Sequence, residues 1–330
     1  MPDQTEHHVP RIALIATGGT VAGAADSSTQ QLGYRAGALD VDALVASVPG
    51  LDRLAAIETQ QPFALDSAAL ELSHWQTLAE RVNAALARDD IDGAVVLHGT
   101  DTLEETAFFL HLAVDSDKPV VLTGAMRPAT SFGADGPMNI YHAVAAAAHP
   151  ACRGLGTLVV FGDVLLAARG LQKRDSVPGA FSADQYGRLG LVKDRDVFVY
   201  QRPTRARGGF AVPQRLPRVH VLTAFLDMPA SLIDAATADA DGLVFAGVGN
   251  GNLRGDWLAA LSAAAARGVA VVRASRVSNG TTVRNGEIDD DAHGFVSADN
   301  LTPLQARVLT MLALARGAST RELQLLFDSY

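Results

Sequence analysis

The chain of 330 residues reads as an α/β protein: a larger N-terminal domain with a mostly parallel sheet flanked by helices, then a smaller C-terminal α/β domain. Three observations predict this. Short, fully apolar runs of strand length recur along the chain. Longer stretches with helical spacing of apolar residues separate them. One interval, poor in apolar residues and rich in Gly, Pro and Arg, breaks the alternation. Apolar strands that alternate with amphipathic helices predict a parallel sheet covered on both faces, because such strands offer no polar side to water.

The first predicted strand is Ile12–Ala16. A helix is expected over Ser67–Arg88, where Leu70, Trp75, Leu78, Val82 and Leu86 recur every three to five residues. Strands follow at Gly93–Leu97, Val120–Leu122 and Thr157–Phe161. The interruption falls at Thr204–Pro217, which holds Gly208, Gly209, Pro213, Pro217 and several arginines and reads as an exposed linker. It divides an expected larger domain over 1–203 from a smaller one over 218–330, with 204–217 between them. In the second part the strands are Val219–Leu222, Leu243–Ala246 and Val269–Val272.

Composition narrows the function classes. At 48% hydrophobic and 19% charged residues, the chain has ample material for a core and is not a disordered segment. The formal net charge of -9, with no Lys/Arg run, argues against a surface that tracks phosphates, so no nucleic-acid partner is expected. Cys152 is the single cysteine, which excludes an intrachain disulfide and suits a buried, inert thiol. Met1–Pro10 is polar and lacks the apolar core of a secretory signal, which points to the cytoplasm, or to the periplasm if a leader has been removed. The longest apolar runs, such as Ala143–Ala148 and Val308–Ala315, fall short of the ~18 residues of a membrane span, so no membrane partner is expected either.

Ligands of open parallel sheets gather beyond the carboxyl ends of the strands. Ile12–Ala16 runs into Thr17-Gly18-Gly19-Thr20-Val21-Ala22-Gly23, and Gly93–Leu97 into His98-Gly99-Thr100-Asp101-Thr102. The next strand leads to Thr123-Gly124-Ala125-Met126-Arg127, and a later one to Gly247-Val248-Gly249-Asn250-Gly251-Asn252. Taken singly, Thr20 or Asp101 is as well explained as a helix cap. The glycines fit neither G-x-G-x-x-G nor a P-loop, since Gly18 and Gly19 are adjacent and Asn252 stands where the last glycine belongs. The nine histidines form no H-E-x-x-H motif, no Cys/His cluster exists and no G-x-S-x-G elbow is present, so no metal site and no serine-hydrolase site is expected. His98 reads as a hydrogen-bonded structural histidine. What the loops do offer is hydroxyl nucleophile chemistry, which requires a neighbouring base or relay to take the proton.

Six blocks in order resemble the signatures of the bacterial L-asparaginase and glutaminase-asparaginase family. They are Ile15–Gly23, Leu97–Phe109, Lys118–Pro128, Ala134–Ile140, Ala246–Asn252 and Val271–Val277, and the likeness runs from about Arg11 to Tyr330. The resemblance implies that Thr20 is the nucleophile and that Tyr34, on a loop closing over the substrate, assists it. It implies that Thr100, Asp101 and Lys173 form a second triad relaying protons and activating water, and that Ser67 and Asp101 bind the α-carboxylate and α-amino groups. Asn250 and Glu287 match residues that reach a neighbouring subunit's site, within a homotetramer built from intimate dimers. The implied substrate is L-asparagine, the implied cofactor none. One departure concerns the lysine, whose usual Thr-Lys-Thr setting is here Gln172-Lys173-Arg174. Two other readings share this fold: a non-catalytic amino-acid-binding module, and the asparaginase-like subunit of a tRNA-dependent amidotransferase. The co-occurrence of Thr20, Tyr34, Thr100 and Lys173 speaks against the first, and the net charge of -9 against the second.

Overall fold

A computed structural model describes residues 9–35 and 37–330. The chain divides into two compact units, Met1–Thr204 and Arg205–Tyr330.

The first unit is built on β1 (Arg11–Ala16), β2 (Ala56–Gln60), β3 (Gly93–Leu97), β4 (Val120–Thr123), β5 (Thr157–Phe161), β6 (Val164–Ala167), β7 (Gln172–Lys173), β8 (Phe181–Ser182), β9 (Gly190–Lys193) and β10 (Asp196–Val199). Eight of them form one sheet in the order β10-β9-β6-β5-β4-β3-β1-β2, and β7 pairs with β8 separately. Strands β2, β1, β3, β4 and β5 run parallel, whereas β6, β9 and β10 add an antiparallel flank. The flank is short and partly exposed, so it gives no long apolar run in the sequence. The helices are α1 (Val41–Ala46), α2 (Leu72–Leu86), α3 (Leu103–Ala113) and α4 (Gly136–Ala148). Ile12, Leu14, Val95, Leu97, Val121, Leu158, Ile140 and Val144 pack into one core cluster. Each such side chain contributes about 1.5–3 kcal/mol by leaving water. These residues hold the sheet rigid behind the loops at its carboxyl edge.

The helix expected over Ser67–Arg88 begins later. Asp66 accepts a hydrogen bond from the Ala68 N–H and closes a single 3-10 turn, Ser67–Ala69. Leu70 is extended, and Glu71 with His74 forms a reciprocal cap that starts α2 at Leu72. Ser67 therefore lies in a turn, not on a helix face.

The second unit holds β11 (Val219–Thr223), β12 (Gly242–Gly247), β13 (Ala270–Ser275) and β14 (Phe295–Ser297), which form one parallel sheet in that order. Around it lie α5 (Ser231–Thr237), α6 (Gly255–Ala266), α7 (Asp290–His293), α8 (Pro303–Ala315) and α9 (Thr320–Ser329). The segment read as an exposed linker is without helix or strand but is not a free tether. Phe210 and Leu216 are buried, the Arg316 guanidinium lies 4.7 Å from the Phe210 ring centroid, and Tyr330 Oη donates to the Gly208 carbonyl at 2.8 Å. From Arg205 onward the chain thus packs as part of the second unit. Two anchoring residues suffice for this, and a low apolar content conceals them.

One charge stands in the middle of an apolar strand. Arg273 on β13 is buried and forks onto buried Asp290, with Nε–Oδ1 at 2.7 Å and Nη2–Oδ2 at 2.6 Å. Its remaining donors reach the carbonyls of Asn250 at 2.7 Å and Val283 at 2.9 Å. Removing one partner of such a pair leaves the other charged and dry. Arg273→Met is accordingly expected to cost about 3–5 kcal/mol in urea unfolding, far more than a surface substitution.

Candidate active site

Because β1, β3 and β4 are adjacent and parallel, the loops that leave them emerge side by side. Their backbones touch. A Cβ on Gly19, whose φ is 77°, would stand 2.4 Å from the Gly99 Cα, and one on Gly99 would stand 2.6 Å from the Ser67 Oγ. Only glycine tolerates such approaches. They bring the loop after β1, the loop after β3 and the Ser67 turn into one cluster.

Thr20 opens the 3-10 turn Thr20–Ala22, and its hydroxyl lies 2.5 Å from the hydroxyl of Tyr34. The segment that carries Tyr34 is stitched back onto the Thr20 loop. Ala24 and Arg35 exchange backbone hydrogen bonds at 3.0 Å, Gly37 N–H donates to the Gly19 carbonyl at 3.2 Å, and Leu39 N–H donates to the Ala22 carbonyl at 3.0 Å. The same loop is held from its other side by the chain after β4. There Ala129 N–H donates to the Gly23 carbonyl at 3.0 Å, Ala25 N–H to Thr130 Oγ1 at 2.8 Å, and Phe132 N–H to the Ser28 carbonyl at 2.6 Å. That chain is in turn fixed by Asp135, which accepts from the N–H groups of Met126 and Arg127. The Ala134–Ile140 block thereby supports the Tyr34 loop from a distance.

Thr100 is buried at the start of the turn into α3. Lys173 on β7 donates from Nζ to Thr100 Oγ1 at 2.8 Å and to Asp101 Oδ1 at 2.7 Å. Lysine and aspartate form a half-exposed ion pair, with side-chain exposures of 22% and 59%. Solvent screens a pair of this kind, so its worth lies in aiming the ammonium at Thr100 more than in stability. Buried Ser67 accepts the Asp101 N–H on Oγ at 3.2 Å, while its carbonyl accepts the Thr102 hydroxyl at 3.1 Å. Thr20, Tyr34, Ser67, Thr100, Asp101 and Lys173 are thus linked through direct bonds and touching loops.

Asn250 and Glu287 belong to the second unit. Asn250 Oδ1 accepts the Val283 N–H at 2.8 Å and so fixes the base of the loop on which Glu287 stands exposed. The Arg273–Asp290 pair braces both ends of that loop, since Asp290 Oδ2 also accepts the Asn285 N–H at 3.0 Å. An arginine inside an apolar strand is legible in sequence as a demand for a buried anion, although the demand does not name Asp290.

Two further ionisable groups flank the first cluster. His98 is buried; its Nδ1 lies 2.7 Å from the Gly99 carbonyl, and burial pushes its pKa down to about 4. It is a neutral, loop-bracing imidazole at physiological pH. Glu104, in the first turn of α3, accepts the backbone N–H of Lys173 at 2.6 Å. Burial lifts its pKa to about 7 against the opposing pull of that hydrogen bond. Nothing in the residue pattern around Leu103-Glu104-Glu105 separates this carboxylate from its exposed-looking neighbour.

Comparison with known proteins places these features in context. Residues 11–205 match the family model described as "Asparaginase, N-terminal", and residues 218–327 match "Glutaminase/Asparaginase C-terminal domain". The chain is 41% identical to L-asparaginase 2 of Escherichia coli, over 98% of this chain and 94% of that protein. It is 39% identical to a probable periplasmic L-asparaginase of Haemophilus influenzae, over 98% and 93% of the two. The crystal structure of a probable cytoplasmic L-asparaginase from Campylobacter jejuni superposes with a TM-score of 0.93 at 39% identity, covering 97% of this chain and 100% of that one.

The backbone approach at Gly99 gives a direct test of the cluster. Gly99→Ala is expected to force the Ser67 turn away and to cost about 1–3 kcal/mol in urea unfolding. Gly255→Ala, where nothing lies within 4 Å of the added carbon, serves as the neutral control.

Proposed function

The chain belongs to the asparaginase family, and from that premise we propose that it hydrolyses the side-chain amide of L-asparagine to L-aspartate and ammonia through an ester on Thr20, with L-glutamine as a secondary substrate. The observation that carries this reading is the 2.5 Å contact between the Thr20 and Tyr34 hydroxyls, set in a loop that abuts the Lys173–Thr100–Asp101 cluster.

The chemistry follows from these groups. Thr20 Oγ1 passes its proton to Tyr34 Oη as it attacks the amide carbon, while Tyr34 passes its own hydroxyl proton on to the leaving nitrogen, because a neutral hydroxyl is a weak nucleophile without such a relay. The tetrahedral intermediate collapses, the carbon–nitrogen bond breaks, and ammonia departs with the proton. Water then attacks the β-aspartyl ester; its proton passes to Thr100 Oγ1 as Thr100 passes its own to Lys173 and Lys173 gives one up, so the relay ends unchanged and delivers one proton to Thr20 Oγ1 as the ester carbon–oxygen bond breaks. Asp101 holds the ammonium of Lys173 on one side and the substrate's α-amino group on the other, while Ser67 binds the α-carboxylate. Asparagine and glutamine differ by one methylene, which a pocket distinguishes by only about 1–3 kcal/mol, so both substrates fit the same apparatus.

Asn250 and Glu287 complete the site of a second copy, in a homotetramer assembled from intimate dimers. Support comes from the family resemblance and from the exposure of Glu287 on a loop that Asn250 and the Arg273–Asp290 pair hold rigid. Closed two-fold assembly is the common soluble arrangement.

Two experiments test the proposal. Thr20→Val is expected to preserve folding while lowering ammonia release from asparagine by ~10³-fold or more. Near-normal turnover in that variant would remove Thr20 from the mechanism. For the shared site, Thr20→Val chains are co-expressed with Glu287→Ala chains. Mixed oligomers regain activity above either parent, since one site then joins an intact Thr20 to an intact Glu287. A Glu287→Ala enzyme that is strongly impaired yet shows no recovery on mixing would rule out sharing.

A further inference from the structure

The mechanism above leaves unused a largely buried carboxylate beside Lys173. Glu104 lies in the first turn of α3, three residues beyond Asp101, and its Oε2 takes the Lys173 N–H at 2.6 Å. Lys173 is therefore attached to a single five-residue stretch at both of its ends: its ammonium to Thr100 and Asp101, its backbone to Glu104. The lysine needs that anchor. Its strand, β7, is two residues long and pairs only with the equally short β8. Such a ladder does not fix a long, flexible side chain to the fraction of an ångström that proton transfer demands.

We propose that Glu104 is the positioning residue for Lys173: its carboxylate holds the lysine backbone so that the ammonium meets Thr100 and Asp101. This inference rests on the reading of Lys173 as part of the proton relay. The charges around Glu104 fit the role. Glu105, its neighbour on α3, opposes ionisation, whereas Lys173 and Arg174 on and beside β7 favour it. Arg174, one of the two residues that depart from the family's Thr-Lys-Thr pattern, thus adds a second cation where a second carboxylate stands. Its guanidinium is itself held by Gln172 Oε1 at 3.0 Å and by Asp184 at 3.4 Å.

The ionisation of Glu104 falls at about 7, so its grip changes within the working range of the protein. Once ionised, it accepts a charge-assisted hydrogen bond, roughly twice as strong as a neutral one. Turnover gains as pH rises through about 7. Stability moves the other way. Burial holds the pKa in the folded protein above the ordinary glutamate value of 4.5, so the folded protein binds the extra proton between the two values, and stability is lost as pH climbs from about 4.5 to about 7.

The test compares three variants of the full chain by ammonia release and thermal unfolding across pH. Glu104→Gln keeps an acceptor for the Lys173 N–H but cannot ionise. It is expected to keep KM close to wild type, to hold kcat at the lower level that wild type shows on the acid side without the rise through about 7, and to melt higher than wild type at alkaline pH relative to acid pH. Glu104→Ala removes the acceptor and is expected to lower kcat by ~10–100-fold with little change in KM, the mark of misplaced chemistry rather than lost binding. Lys173→Met, which the relay reading requires to fall by ~10²-fold or more, separates the two levels of the argument. A Lys173→Met enzyme that turns over normally overturns the relay and this inference with it. With Lys173→Met inactive, a Glu104→Ala enzyme of wild-type kcat, or a Glu104→Gln enzyme that keeps the wild-type limb, overturns the role of Glu104 alone. Should Glu104→Ala fail to fold, the pH profile of Glu104→Gln decides.

Discussion

The constraint on which the candidate site depends is the backbone contact between Gly19 and Gly99, where a single added carbon would stand 2.4 Å from a neighbouring Cα. Two loops that leave adjacent parallel strands press against each other with no side chain between them. The loop after β1 presents the Thr20 hydroxyl, and the loop after β3 presents Thr100 and Asp101. The Ser67 turn reaches the same point because Gly99 leaves room for its hydroxymethyl group. The polar contacts of the site depend on this arrangement, since hydrogen bonds of 2.5–3.2 Å do not survive a shift of the loops by the width of a methyl group.

Stability and geometry are supplied by different groups. The apolar faces of β1, β3, β4 and β5 with α4 hold the first unit together, and none of them touches the chemistry. The Lys173–Asp101 ion pair at the carboxyl edge is half-exposed and contributes little net free energy, yet it decides where the ammonium sits. In the second unit the division is less clean. There the buried Arg273–Asp290 fork lies inside the core and also clamps the Asn250 and Val283 loops. A buried ion pair is weak evidence of stability, because hydrophobic residues of equal volume would serve as well; its directional hydrogen bonds to two loop carbonyls are what an apolar replacement would lack.

Much of this was legible in the residues. The strand-length apolar runs lie within or beside observed strands, and Thr20, Thr100 and Asp101 lie in loops after strand ends, where parallel sheets bind ligands, although their roles come from the family resemblance. Other features were hidden for identifiable reasons. The antiparallel flank of β6, β9 and β10 consists of four-residue strands with mixed burial, too short for a period to register. The helix expected from Ser67 begins at Leu72 because the Asp66 cap and the Glu71–His74 box act on backbone groups that an apolar period does not report. Phe210 and Leu216 anchor a stretch whose composition suggests an exposed linker.

By itself, then, the sequence determined the α/β class, the succession of strands and helices, and the loops that carry hydroxyls and carboxylates. Each is a matter of local spacing, and local spacing is what a linear chain records. Spacing does not show that Tyr34 meets Thr20 or that Lys173 spans 73 positions to reach Thr100, pairings that the family resemblance alone implies, and only tertiary structure decided that Glu104, not Glu105, takes the Lys173 N–H. Such pairings depend on strand order, on how closely two backbones approach, and on which carboxylate of an adjacent pair faces the Lys173 backbone. No periodicity encodes those quantities, because they arise only when distant segments are packed against one another.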